Sequence, residues 1–252
     1  MNKFLKLPER SKKPREKGMT MVMDSGLSLQ EVDGLIEIGG NHLDYVKLGW
    51  GTSLVSQNIK EKIKKYQTEN IKISYGGTLF ELAYLQNKVQ EFKSRIQDQG
   101  ISLVEISDGS IELERQEKLD LISEFSESFT VLSEVGSKDL DTIYAPSFWV
   151  ESIRGELEAG AWKVIAEGRE SGKAGLYRDT SEVRTGLVDD IAKSIDADKI
   201  LWEAPQKAQQ VWFVKKFGTN VNLGNIAPSQ LISVETIRLG LRGDTITFFH
   251  GQ

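Results

Sequence analysis

Residues 102–134 read SLVEISDGSIELERQEKLDLISEFSESFTVLSE. The stretch opens on a short apolar run, Ser102 to Ile106, and closes on another, Thr130 to Glu134. Between them, near 115–128, apolar residues return every three or four positions, the period of a helix with one buried face. A strand, a helix and a strand in so short a span form one βαβ unit, with the two strands parallel and the helix crossing between them.

The same alternation runs outward in both directions. Upstream, strands are expected at 19–24 (MTMVMD), 43–48 (LDYVKL) and 71–75. Helices are expected at 28–38, around Ile59 and Ile63, and at 79–97. Downstream, strands fall at 163–167, 199–203 and 220–223, with helices at 147–159, 181–194, 206–216 and 229–241. Eight such units in 252 residues have the size of an α/β fold of one kind, the (β/α)8 or TIM barrel. A doubly wound open sheet is the rival, but it usually has fewer strands, and no GxGxxG follows the first strand here. The reading divides the chain into a basic N-terminal arm, 1–18, and a single barrel domain, 19–252.

Composition removes several chemistries. The chain has no cysteine, so disulfides, zinc–cysteine sites, iron–sulfur clusters and thiol nucleophiles are all excluded. Its two histidines, His42 and His250, cannot form a three-histidine metal site. No segment has the roughly 20 apolar residues of a membrane helix, and the N-terminus lacks the apolar core of a signal peptide. A cytoplasmic protein is expected. The net charge is −5, but residues 1–18 hold seven basic residues against two acidic ones. The body is therefore more acidic than the total suggests, which argues against nucleic acid as a partner. The arm can be a solvated tail, a subunit clamp or a lid over an anionic site.

In barrels of this kind the catalytic groups stand at the C-terminal ends of the strands. Glu105, Glu134, Glu167 and Glu203 each end a successive apolar run, and Asp24 ends the first. Carboxylates converging on one mouth repel one another, so a divalent cation, or lysine and arginine, must offset them. Oxygen donors with almost no histidine favour Mg²⁺ or Mn²⁺ over zinc. Lys47 lies inside an apolar strand, where a lysine is costly unless paired or functional. It reads as an ion-pair partner of the glutamates, as an anion contact or as a Schiff-base nucleophile. Lys138, on the loop after Glu134, can serve as a cation or a proton donor. Two glycine-containing loops, Gly76-Gly77-Thr78 and Asn222-Leu223-Gly224-Asn225, are candidate anion cradles.

Several motifs carry a family resemblance. They are Lys13-Pro14-Arg15, KLGWGTS (Lys47 to Ser53), GGTLFE (Gly76 to Glu81), EISDG (Glu105 to Gly109) and SEVGSK (Ser133 to Lys138). EAGAWKVIAEGRESG (Glu158 to Gly172), WEAP (Trp202 to Pro205), VNLGNI (Val221 to Ile226) and IRLGLRGDT (Ile237 to Thr245) follow in order. Together they resemble the phosphosulfolactate synthase family over nearly the whole chain. One departure is Gly168, within Glu167-Gly168-Arg169-Glu170, where the family pattern has alanine.

The resemblance implies a (β/α)8 barrel that adds sulfite to phosphoenolpyruvate with Mg²⁺ to give phosphosulfolactate. That step opens a coenzyme M route in methanogens and supports sulfolactate formation in some spore-forming bacteria. The family also contains plant heat-stress-associated proteins. Position and charge then make Glu105, Glu134 and Glu167 the expected metal-site carboxylates, directly or through water, and Lys138 the expected proton donor with Lys47 second. Arg169 and Arg242 contact anions, the segment Asn222, Gly224 and Asn225 holds phosphate, and Arg15 folds over the mouth. Expected partners are small anions, with no nucleic acid and no membrane, and homo-oligomers remain open. The competing readings are a barrel enzyme for another phosphorylated carboxylate and a non-catalytic stress-associated barrel.

Overall fold

A computed structural model describes residues 4–137, 143–169 and 171–251. Eight strands are present: β1 (Thr20–Asp24), β2 (Tyr45–Leu48), β3 (Lys72–Tyr75), β4 (Leu103–Ile106), β5 (Thr130–Val135), β6 (Lys163–Ala166), β7 (Ile200–Glu203) and β8 (Leu223–Ile226). Each pairs in parallel with the next, and β8 returns to β1, which closes the barrel. The helices are α1 (Leu29–Gly39), α2 (Thr52–Val55), α3 (Ile59–Thr68), α4 (Gly77–Leu85), α5 (Val89–Asp98), α6 (Arg115–Ser126), α7 (Pro146–Glu158), α8 (Thr185–Ser194), α9 (Lys207–Phe217), α10 (Leu231–Arg238) and α11 (Ile246–His250). Among the described residues no helix is long and apolar enough to cross a membrane.

The two-residue period of a strand sorts side chains into two cores. Outward residues such as Val22, Val46, Val104, Val131, Val164 and Ile200 join the large core beneath the helices. Inward residues Met21, Tyr45, Leu103, Leu132, Ile165 and Leu201 form a separate apolar layer inside the barrel. Two positions further along the same inward face stand Lys47, Glu105, Glu134, Glu167 and Glu203. The fold thus stacks a polar layer on an apolar one, with the polar layer at the C-terminal mouth. The register places Glu105 opposite Leu132 and Glu134 opposite Ile165. Each strand is therefore stepped along its neighbour, as barrel closure requires.

Several boundaries differ from the sequence reading, three of them in ways that matter to the fold. The eighth strand is Leu223–Ile226, not 220–223. The helix expected over 79–97 is two helices, α4 and α5, broken where Asn87 takes φ 54°, a left-handed conformation that asparagine tolerates better than most residues. The helix expected from 181 begins at Thr185.

The N-terminal arm runs across the end of the barrel opposite the mouth. Arg10 pairs with Glu235 at 2.9 Å and donates to Asn220. The Lys163 ammonium donates to the carbonyls of Glu16 and Asp198. Trp162 lies under two lysines, with Lys72 and Lys163 at 5.1 and 4.8 Å from its ring.

Arg15 belongs to this end as well, which corrects its expected place over the mouth. Its guanidinium donates to Asp44 Oδ1 at 2.8 Å and to the Asn41 carbonyl at 2.7 Å. Asp44 precedes β2 and also accepts the Thr20 N–H. A buried carboxylate at a strand entrance needs a cation beside it, and Arg15 is that cation.

Candidate active site

At the mouth a cavity of about 540 Å³ is lined by Lys47, Glu105, Glu134, Glu167, Arg169, Lys173, Glu203 and Asn225, with Trp50 and Gly76-Gly77-Thr78 on the rim. Lys47 rises from β2 into its floor and is 7% exposed. Its ammonium lies 2.9 Å from Glu105 Oε1, 3.3 Å from Glu134 Oε2 and 3.6 Å from Glu203 Oε1. The lysine therefore stands at the meeting point of β4, β5 and β7. Burial by itself pulls its pKa down, yet the three carboxylates outweigh burial and hold it well above the usual 10.5. Lys47 is charged at neutral pH and releases its proton reluctantly.

Each carboxylate has a local reason for its place. Glu105 Oε1 also accepts the Gly77 N–H at 2.7 Å. A Cβ on Gly77 would meet that oxygen at 2.7 Å and Ser107 closer still, so only glycine lets the start of α4 approach β4 this nearly. The Gly76–Thr78 loop thus holds an anion, as its sequence suggests, but the anion on the Gly77 N–H is the protein's own Glu105. Glu203 Oε2 accepts the Gly168 N–H at 3.1 Å and the Asn225 amide at 3.4 Å. Glu167 accepts the N–H of Arg169, whose φ of 52° turns the chain back at the rim. The carbonyl of Glu134 accepts from Lys118, which also pairs with Asp108 and Glu156 at 2.8 Å each. Lys118 so ties β5 to the loop after β4 and to α7. On the far side, Asp24 accepts from Lys62, from the Tyr66 hydroxyl and from the N–H groups of Gly26 and Leu27, which fixes the loop after β1.

The structure separates the expected substrate contacts. Arg169 and Asn225 reach the mouth. Asn222 does not: it stands before β8, accepts the Met19 N–H and donates to the carbonyls of Asp198 and Ile200. It stitches the opposite end of the barrel. Gly224 lies within β8, and a Cβ there would sit 2.9 Å from Leu201 and 3.0 Å from Met21. Its smallness serves the inner core, not a phosphate loop. Arg242 lies beyond α10, bound to the Ser233 hydroxyl and 3.6 Å from Asp244, and does not line the mouth cavity. Lys138 lies outside the described residues. Glu203, expected from the sequence among the converging carboxylates but given no role of its own, continues the inward ladder from Leu201. Lys173, which the sequence reading does not name, sits in an irregular loop and has no periodic signal.

Among the described residues, no three acidic or histidine side chains converge as a cage for a metal ion. Glu105 and Glu134, which meet at Lys47, offer hard oxygen donors of the kind Mg²⁺ takes one or two at a time, completing its shell with water or substrate. The donor set fits Mg²⁺ in that open form.

The charge arrangement predicts an alkaline limit to stability. Lys47 and Lys118 are both raised above 10.5 in the fold, each by neighbouring carboxylates that overcome burial. Burial also raises Tyr45 and Tyr177 well above 10.0. A group whose pKa is raised by folding stabilises the fold fully below its unfolded value, and that stability drains as pH climbs toward the folded value. These groups should leave the melting temperature level from about pH 7 to 9 and lower it beyond about pH 10. Thermal melts across pH 7–11 check this. A melting temperature still flat at the alkaline end would contradict it.

Fold and site together define a (β/α)8-barrel enzyme whose mouth clamps a lysine among glutamates and faces it with an arginine and a second lysine. Residues 8–244 match the family described as (2R)-phospho-3-sulfolactate synthase (ComA). The phosphosulfolactate synthase of Bacillus subtilis is 45% identical over 249 residues, covering 97% of this chain and 99% of that protein. That of Methanothermobacter thermautotrophicus is 43% identical over 245 residues, covering 95% of each. The chain belongs to the phosphosulfolactate synthase family of enzymes. In fold it is similar to 3-hexulose-6-phosphate synthase from Salmonella typhimurium, with a TM-score of 0.54, 14% identity and coverage of 87% of this chain and 97% of that one.

Proposed function

We propose that the enzyme adds sulfite to C3 of phosphoenolpyruvate with Mg²⁺, giving 2-phospho-3-sulfolactate. Family membership supports the reaction class. The observation that carries the reading is the mouth itself: Lys47 held among Glu105, Glu134 and Glu203, with Arg169 and Lys173 lining the same cavity. In the reaction the sulfur lone pair forms the C–S bond at C3. The C2=C3 π pair shifts toward C2 and the carboxylate, and a proton delivered to C2 completes the addition. No covalent enzyme intermediate is needed, which suits a chain without cysteine.

Substrates with this much negative charge need cations on several sides. Arg169, Lys173 and the Asn225 amide are the anion contacts on the rim. Glu105 and Glu134 are the carboxylates that hold Mg²⁺, with Glu167 beside them. When bound, Mg²⁺ supplies charge stabilisation where negative charge gathers on the substrate carboxylate. Lys138 donates the proton to C2. Lys47, paired with Glu105, Glu134 and Glu203 before substrate binds, is the alternative donor.

The test is direct. Purified protein is incubated with phosphoenolpyruvate, sulfite and Mg²⁺, and the product is followed by phosphorus NMR. A phosphosulfolactate signal that vanishes with chelator is expected. A folded protein that yields none would shift the reading to another phosphorylated carboxylate. Substituting other nucleophiles for sulfite then identifies the alternative.

A further inference from the structure

Lys47 occupies the place a divalent ion would compete for. Its ammonium is within 3.3 Å of one oxygen of Glu105 and one of Glu134. A third carboxylate, Glu203, holds it from β7 at 3.6 Å. A divalent cation approaching Glu105 and Glu134 would meet this positive charge at close range in a site largely shut off from water, where charge repulsion is strong. The ion binds well only if Lys47 leaves or its charge is offset.

The site gives Lys47 somewhere to go. A Cβ on Gly76 would stand 3.4 Å from Lys47 Cε, and the same glycine lines the cavity. No side chain at that position blocks a swing of the lysine toward the rim. An anion seated against Arg169 and Lys173 would offer the ammonium a new partner there.

We infer that Lys47 keeps the Glu105–Glu134 pair closed to a divalent ion until an anionic substrate draws it away, so that metal and phosphoenolpyruvate bind cooperatively. The inference builds on the Mg²⁺-dependent reading above and adds to it an order of events governed by one residue. Lys47 is here a positioning residue: it acts on the metal through the carboxylates. Linkage makes the effect mutual, so the metal tightens phosphoenolpyruvate by the same factor that phosphoenolpyruvate tightens the metal.

The experiment measures Mn²⁺ binding to the intact protein by the electron paramagnetic resonance signal of free Mn²⁺, at constant ionic strength, with and without phosphoenolpyruvate. Wild type should bind Mn²⁺ at least about tenfold more tightly with phosphoenolpyruvate, within the usual range of coupling between sites. Lys47→Met should bind Mn²⁺ alone at least about tenfold more tightly than wild type, since the competing charge is gone. Its gain on adding phosphoenolpyruvate should shrink. Lys47→Gln, which keeps a polar head, should follow the same pattern and serves if Lys47→Met does not fold. Melts with Mn²⁺ give a second readout: the ion alone should stabilise the variants more than wild type.

Wild type that binds Mn²⁺ equally with and without phosphoenolpyruvate overturns the inference. So do variants that bind Mn²⁺ alone no better than wild type while wild type binds it with substrate; in both cases the metal reading survives. No Mn²⁺ binding by wild type even with phosphoenolpyruvate removes the metal reading and the inference together.

Discussion

Glu105→Gln should lower kcat/KM by about 10²–10³-fold, the usual loss when one electrostatic element of a preorganised site is removed, while costing the fold less than Glu105→Ala. The two substitutions differ because Glu105 has two partners. Its Oε1 accepts the Gly77 N–H at 2.7 Å and pairs with Lys47 at 2.9 Å. Glutamine keeps an oxygen for the Gly77 N–H, so the start of α4 stays pinned to β4. It cannot neutralise Lys47, and its neutral oxygen holds a divalent ion much less well than a carboxylate does. Both variants leave a buried ammonium short of one of its three counter-charges. Alanine in addition strands the buried Gly77 N–H, a further loss of about 1–3 kcal/mol, or several degrees in melting temperature for a domain of this size. Melts and steady-state kinetics on both variants separate the two roles. A Gln variant with wild-type kcat/KM would reduce Glu105 to a structural clasp.

How far the sequence shows all this depends on what each residue's environment asks of it. Strands of a parallel barrel are buried on both faces, so most read as continuous apolar runs; β4, β5 and β7 are legible for that reason. β8 is not, because two of its four residues are Gly224 and Asn225. Both are poor strand formers. Gly224 is there because Leu201 and Met21 leave no room for a side chain. Asn225 is there because the mouth is polar and Glu203 takes its amide. The inner barrel and the mouth override local preference, so the sequence pattern places the strand too early, over 220–223, around Asn222, whose side chain serves the opposite end.

The carboxylate ladder was legible because period two is strict: a residue two positions past an inward leucine or isoleucine must also face inward. Burial then confirms its consequence, since Lys47, Glu105, Glu134 and Glu203 meet. Arg15 shows the limit. Its charge announces a need for an anion, but nothing linear says which end of the barrel supplies one. The answer, Asp44, lay inside a stretch read as strand. Lys173 shows a second limit, because no periodicity governs an irregular loop and its arrival at the mouth is a tertiary fact.

Lys138→Met should lower kcat by about 10²–10⁴-fold, the range for losing a positioned general acid, with KM changed by only a few-fold. Three observations support giving the proton to Lys138. The chain leaves β5 beside the site: Gly136 takes φ 131°, and a Cβ there would sit 2.6 Å from the Glu167 Cβ, so Gly136 packs closely against one of the mouth carboxylates. Lys138 follows two residues later. The rival donor, Lys47, has a separate part, since it lies on the cavity floor against the Glu105–Glu134 pair. Finally, His42 and His250 do not line the mouth cavity, so no imidazole is placed to act instead. Lys138→Ala should regain part of its activity with an added primary amine, whereas Lys138→Met should not, because its side chain still fills the space. Single-turnover rates would locate the loss in the chemical step. A Lys138→Met enzyme with wild-type kcat would remove the assignment and return the proton to Lys47. The carboxylates would then have to release that lysine before the addition could finish.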